Sequence, residues 1–173
     1  MGFFDKFKKK SSVPEALSVS APAGTLLAPV SGTAMDLSEV SDPVFSSGAM
    51  GKGCGVKPSG ETVYAPADGT LTVIGAPNFH ALALATDDGA EILIHVGVDT
   101  VEMKGDGFKV FAEKGSKVKA GTPLLSFSKQ KIAAAGHDDV VIMAITNTDD
   151  MASVDFAKSG EVNAGDVVVK YAK

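Results

Sequence analysis

The 173-residue sequence has no arginine, no tryptophan and a single cysteine; all sixteen of its basic side chains are lysines. Without guanidinium groups there is no bidentate clamp for phosphate, so any phosphate chemistry rests on His, Lys or backbone N–H groups. A net charge of −5 without arginine argues against a nucleic-acid partner, because such interfaces are basic and use arginine heavily. Cys54, being alone, excludes an intrachain disulfide and a multi-cysteine metal cluster, and reads as a small core residue. No run approaches the roughly 18–20 consecutive apolar residues of a membrane span, and no long secretory core stands at the start. The expected location is therefore cytoplasmic.

What is present is a one-domain length, 45% apolar residues, and nineteen glycines and eight prolines spread throughout. Between these breaks lie short runs rich in Val, Ile, Leu and Thr, such as Leu71–Ile74, Ala81–Leu84, Glu91–Ile94, Val140–Met143 and Val167–Val169. Short strands punctuated by Gly and Pro predict an all-β sandwich or barrel. One helix is expected after Thr148, with Asp149 and Asp150 in its first turn, Lys158 in its last and Gly160 ending it. The chain also repeats itself. Ala28-Pro29-Val30-Ser31-Gly32-Thr33 returns as Ala65-Pro66-Ala67-Asp68-Gly69-Thr70, and Val118-Lys119-Ala120-Gly121 returns as Val162-Asn163-Ala164-Gly165. Two elements repeated in the same order suggest two related β-motifs in one sandwich; chance recurrence of turn chemistry is the alternative.

The first ten residues differ in character. Phe3, Phe4 and Phe7 fall on one helical face, and four lysines against Asp5 give this decapeptide +3. Ser11-Ser12-Val13-Pro14 then breaks any helix. The pattern suits either a short amphipathic helix on an anionic membrane surface or a solvated tail. The expected division is a tail over 1–10, a flexible linker over 11–23 and a domain over 24–173.

Two of the chain's three histidines flank a hairpin signal, Asp87-Asp88-Gly89. With Asp88-Gly89 as a two-residue loop, paired positions sum to 177; with Asp87-Asp88 they sum to 175. Either register puts His80 and His95 on one face, whereas an even sum would separate them. Adjacent imidazoles in an apolar setting can act as nucleophile and hydrogen-bond donor, can both ligate zinc, or can simply be satisfied by local backbone. His137, within Gly136-His137-Asp138-Asp139, reads as a solvated loop histidine.

The run Ile94-His95-Val96-Gly97-Val98-Asp99-Thr100-Val101-Glu102-Met103-Lys104-Gly105-Asp106-Gly107-Phe108 resembles the phosphorylation-site signature of the glucose-family enzyme IIA of the bacterial phosphoenolpyruvate:sugar phosphotransferase system. The resemblance spans about residues 24 to 172 and includes Asp42-Pro43-Val44-Phe45, Val56-Lys57-Pro58, Tyr64–Thr70 and His80. Met1-Gly2-Phe3-Phe4-Asp5-Lys6-Phe7-Lys8 looks like the opening of free-standing enteric-type members, whose tail binds membrane. It implies an antiparallel β-sandwich of duplicated hybrid motifs with short helical turns. It implies that His95 accepts a phosphoryl group at Nε2 from phospho-HPr, that His80 hydrogen-bonds that group, and that the group leaves to a cysteine of an enzyme IIB domain of a sugar permease. Regulation of transporters and of glycerol kinase-like targets is implied as well. No cofactor is required, although His80 and His95 can bind zinc completed by a partner's carboxylate.

By the same resemblance Asp42, Val44, Phe45, Asp99 and Val101 surround the site and contact partners. Val44, Phe45 and Val96 form an expected water-excluding apolar rim. Asn78 stands where the family usually has a threonine, a departure that leaves an amide able to bond His80 as weak support only. Ala49 and Leu93 replace a larger aliphatic and an aromatic. Three rival readings are weaker. A zinc peptidase of related fold needs a His-x-His pair, and a lipoyl or biotinyl carrier needs Met-Lys-Met; neither occurs. A purely regulatory binding protein would not need the intact histidine pair.

Overall fold

The computed structural model describes residues 13–173, so the expected membrane-contacting tail over 1–10 lies outside the described residues. In chain order the strands are β1 (Thr25–Leu27), β2 (Gly32–Asp36), β3 (Lys52–Pro58), β4 (Thr62–Tyr64), β5 (Gly69–Ile74), β6 (Ala81–Thr86) and β7 (Glu91–Val96). There follow β8 (Phe108–Val110), β9 (Lys117–Val118), β10 (Pro123–Phe127), β11 (Val141–Ile145), β12 (Ser153–Phe156), β13 (Gly160–Val162) and β14 (Val167–Ala172). Two short helices interrupt them, α1 (Pro43–Ser46) and α2 (Lys129–Ala134). An eight-stranded sheet runs β13-β2-β3-β11-β7-β6-β5-β9, and two three-stranded sheets run β1-β14-β12 and β4-β10-β8. Every pairing described is antiparallel.

The alternation of the central strands explains the layering. Along β7, Ile92, Ile94 and Val96 are buried in the main core; Leu93 and His95 take the opposite face. Ile92, Ile94 and Val96 share this core with Leu26, Val168 and Val169 from one small sheet and Leu124, Leu125 and Phe127 from the other. A second, smaller cluster lies on the outer face of the large sheet: Leu37, Val40, Phe45, Val140, Ile142 and Ala144, with Leu93 and Val98 against it. Because β11 feeds both clusters, all five of its residues are buried.

The repeats found in the sequence pair crosswise. Ala65 N–H donates to Thr122 O at 2.8 Å and Gly121 N–H to Ala65 O at 2.9 Å; Ala28 N–H donates to Asp166 O at 2.6 Å and Gly165 N–H to Ala28 O at 3.0 Å. Leu27 N–H reaches Pro66 O at 2.9 Å, while Tyr64 N–H reaches Pro29 O at 2.8 Å. The side chains repeat the pattern, since Asp68 Oδ1 accepts from Ala120 N–H at 2.8 Å and Ser31 Oγ accepts from Ala164 N–H at 2.9 Å. Equivalent residues thus make equivalent bonds in two related motifs, which chance recurrence of turns does not explain.

Two expectations change. The helix after Thr148 is only a 3-10 turn over Thr148–Asp150, followed by β12. Val154 is buried and Phe156 packs on the core with Asp155 outside, and this period of two pairs the segment with β14, overriding the favourable capping chemistry. Neither α1 nor α2 was placed from the sequence; α2 is opened by Ser128 Oγ accepting from Lys131 N–H at 3.1 Å and anchored by buried Ile132. Within the expected linker, Leu17 N–H donates to Gly121 O at 2.9 Å, and Leu17 and Val19 lie over Gly121 and Gly165.

Candidate functional site

The hairpin between β6 and β7 takes neither expected register. Ala81 pairs with His95 and Leu82 with Ile94, so paired positions sum to 176. The cause is a three-residue loop. Gly89 N–H donates to Thr86 O at 3.1 Å, and Gly89 (φ +98°) turns left-handed before Thr86 N–H meets Ala90 O at 2.8 Å. In a continuous strand this register would aim His80 into the core, opposite Val96. It does not, because β6 starts only at Ala81. Phe79 is left-handed (φ +57°), its N–H donating to Gly75 O at 2.7 Å, and this turn frees His80 from the alternation. The backbone carbonyl of His80 still accepts from Val96 N–H at 2.8 Å. The two imidazoles meet edge to face, centroids 4.8 Å apart at 85°.

His95 is held by its neighbours. Its Nδ1 lies 2.8 Å from Gly97 O, which fixes the Nδ1–H tautomer and leaves the Nε2 lone pair free. The Phe45 ring, carried on α1, packs 5.4 Å away at 50°. Burial lowers the His95 pKa, against the raising effects of the Gly97 carbonyl and of Asp42 and Asp99 nearby. Burial, and then repulsion from His95, lowers the His80 pKa. Both rings are therefore neutral near pH 7. His80 Nδ1 is buried and has no hydrogen-bond partner, so the Asn78 amide does not support the ring at that nitrogen.

The comparisons with known proteins fit this geometry. The family model described as phosphoenolpyruvate-dependent sugar phosphotransferase system, EIIA 1, matches residues 24–151. This chain belongs to that EIIA family. A glucose-specific EIIA component from Oceanobacillus iheyensis is 36% identical over 164 residues, covering 95% of this chain and 94% of that one. A mannose-specific EIIBCA component from Corynebacterium glutamicum is 37% identical over 145 residues, 84% of this chain. The chain spans 21% of that relative's length, so it corresponds to one part of a longer protein there. The glucose permease IIA from Mycoplasma capricolum superposes with a TM-score of 0.77 at 34% identity, covering 84% of this chain and 93% of that one.

Against the family signature, the expected rim divides. Val44 (54% exposed) and Val101 (45%) present apolar side chains to solvent, and Asp99 is exposed. Asp42 caps α1, its Oδ1 accepting from Val44 N–H at 3.0 Å. Phe45 is buried and forms a wall beneath the ring rather than a rim. Val96 is a correction: it is fully buried in the main core, on the other face of the sheet from His95. His137 is a second correction. Its side chain is only 14% exposed and its Nε2 lies 3.8 Å from Glu102 Oε1, because the turn after α2 folds it against the 3-10 segment Thr100–Met103. Cys54 is fully buried as expected, and burial, then Asp36, pushes its thiol up to about 12. Sequence reasoning missed Thr100, a fully buried hydroxyl that donates to Val96 O and closes the loop after His95. Among the described residues no group of three or more His, Cys, Asp or Glu side chains is placed to hold a metal. The EIIA histidine pair alone offers a zinc ion two nitrogens of the usual four ligands.

Proposed function

We propose that this EIIA chain is a phosphoryl relay in which His95 Nε2 is the carrier atom. The observation that carries the reading is the pair of neutral, edge-to-face imidazoles with Nδ1 of His95 committed to Gly97 O. The Nε2 lone pair attacks phosphorus on phospho-HPr; the N–P bond to HPr breaks as the N–P bond to His95 forms. In the second step a cysteine thiolate of a IIB domain attacks, the His95 N–P bond breaks and its electron pair returns to Nε2. Such a transition state is loose, so positioning and donors around the equatorial oxygens dominate over covalent assistance.

His80 supplies one donor. Its Nδ1 is buried without a partner, and a buried lone pair is tolerated better than a buried unpaired N–H. The favoured tautomer therefore carries the proton on Nε2, ready to bond a phosphoryl oxygen. Asp42 and Asp99, flanked by exposed Val44 and Val101, make a docking rim suited to basic partners with an apolar centre. In complexes where a partner contributes a carboxylate, His80 and His95 would supply two zinc ligands.

Phosphoenolpyruvate, enzyme I and HPr incubated with the chain should raise its intact mass by one phosphoryl group. A His95→Ala variant should gain none, and gain by that variant would overturn the assignment. His80→Gln should accept the group yet deliver it to a IIB domain at least tenfold more slowly; normal delivery removes the role given to His80.

A further inference from the structure

The peptide that orients His95 is itself held from a distance. Gly97 O accepts from His95 Nδ1, while Gly97 N–H donates to Val140 O at 2.7 Å and Val98 N–H donates to Asp138 O at 3.0 Å. The acceptor carbonyl of His95 is thus fixed by the segment 138–140. That segment is shaped by one side chain. Asp138 Oδ1 accepts from Val140 N–H at 3.0 Å and lies 3.2 Å from Lys57 Nζ, and Asp138 Oδ2 accepts from Ser41 Oγ at 2.7 Å. Lys57 is also 2.5 Å from Asp139 Oδ1. Ser41 immediately precedes Asp42, the cap of the helix that carries Phe45 against the His95 ring. One carboxylate therefore joins both supports of the imidazole, the Gly97 loop on one side and the base of α1 on the other.

We propose that Asp138, assisted by Ser41 and Lys57, is a positioning residue that sets the tautomer and orientation of His95 from outside the site. The inference rests on the relay reading for its kinetic consequence but not for its geometric one. Gly97 packs closely on that segment: it is left-handed (φ +77°), and a Cβ there would stand 2.9 Å from Asp138 O and 2.4 Å from Thr100 Cγ2, so the permissive glycine backbone takes its position from its neighbours. Burial alone would raise the Asp138 pKa, yet Ser41, the Val140 N–H and Lys57 together lower it, which keeps the carboxylate an acceptor throughout the neutral range. Lys57 adds charge to the junction from the exposed side; as a half-exposed ion pair it refines the position rather than creating it. When the carboxylate is lost, Val140 N–H and Ser41 Oγ lose their acceptor together, and the carbonyls that hold Gly97 and Val98 lose their anchor.

The test uses the full chain labelled with nitrogen-15 at histidine. Long-range proton–nitrogen spectra of the wild type should show His95 as a single Nδ1–H tautomer at pH 7.5. Asp138→Ala should show mixed tautomers at His95 and accept phosphate from phospho-HPr about tenfold more slowly, to the same final stoichiometry. Asp138→Asn, whose amide can still bond Val140 and Ser41, should return most of both. Unchanged tautomer and rate in Asp138→Ala overturn the proposal. Should that variant not fold, Ser41→Ala decides, with a rate about threefold lower and a shifted His95 signal expected, and wild-type behaviour overturning it. A wild-type chain that accepts no phosphate defeats the relay reading, while the tautomer comparison still decides the role of Asp138.

Discussion

Burial lowers the pKa of both His80 and His95 below the ordinary histidine value of 6.5, so each binds a proton more weakly folded than unfolded. The unfolded chain then takes up more protons as pH falls below 6.5, and stability falls with it until the folded rings also protonate. Urea midpoints should therefore drop between pH 7.5 and pH 5.5. In a His80→Asn, His95→Asn double variant that drop should shrink; an equal drop would show that the rings are not buried neutral. The same shift keeps Nε2 of His95 nucleophilic at neutral pH, so phosphate acceptance should decline only below about pH 6.5. Much of this was legible in single residues. The histidine pair stood out as two of three in the chain, and the run from His95 to Val101 carried the family signature. Val96 was misread although alternation along Ile92, Ile94 and Val96 already assigned it to the opposite face from His95. Asp138 gave no signal, because its partners Ser41 and Lys57 stand 97 and 81 residues away in the chain.

At the level of elements, the β6–β7 hairpin separates what glycine does for stability from what it does for chemistry. Gly89 (φ +98°) closes the three-residue loop, and the nearest obstacle to a Cβ there is the flexible end of Lys173. Gly89→Ala should lose about 1 kcal/mol in denaturant titration, the usual cost of a left-handed side-chain residue, with phosphate acceptance unchanged. Gly97→Ala should behave otherwise. Its Cβ meets backbone and a buried threonine, so the loop must shift, the Nδ1 contact of His95 loosens, and acceptance should fall at least tenfold. Equal effects of the two variants on transfer would contradict the assignment of Gly97 as the orienting peptide. The two strands were readable from their composition, whereas the register was not. A single residue of loop length changes it, and Asp-Asp-Gly admits loops of two or three residues. Capping chemistry after Thr148 likewise misled, since the alternation of Val154 and Phe156 that made β12 lies further along the same segment.

For the molecule as a whole, the site occupies the outer face of the large sheet, while the segment Leu17–Val19 lies over the paired Ala-Gly turns at Gly121 and Gly165. Gly121→Ala would push against Leu17 O at 2.9 Å and Val19 at 2.8 Å. It should expose residues 13–20 to proteolysis while leaving phosphate acceptance at wild-type rates; protection equal to wild type would show that the segment is not seated by this turn. Deleting residues 1–10, which carry +3, should weaken binding to vesicles rich in anionic lipid without altering phosphorylation by HPr; unaltered vesicle binding would remove the membrane role expected of the tail. The duplication was the part of the architecture most visible in the sequence, because repeated Ala-Pro and Ala-Gly pairs mark equivalent turns. Their pairing was hidden, since equivalence in sequence does not say which turn bonds which.

The crosswise bonds are nested like parentheses: Ala65 with Gly121 inside, Ala28 with Gly165 outside. On a ribosome the inner clasp has both its halves some forty residues before the outer one does, at ordinary synthesis speeds a matter of seconds. The opening Ala-Pro turn, which bonds Pro66 and Tyr64 as soon as they emerge, gains its own Ala-Gly partner only once residues 165 and 166 have been made.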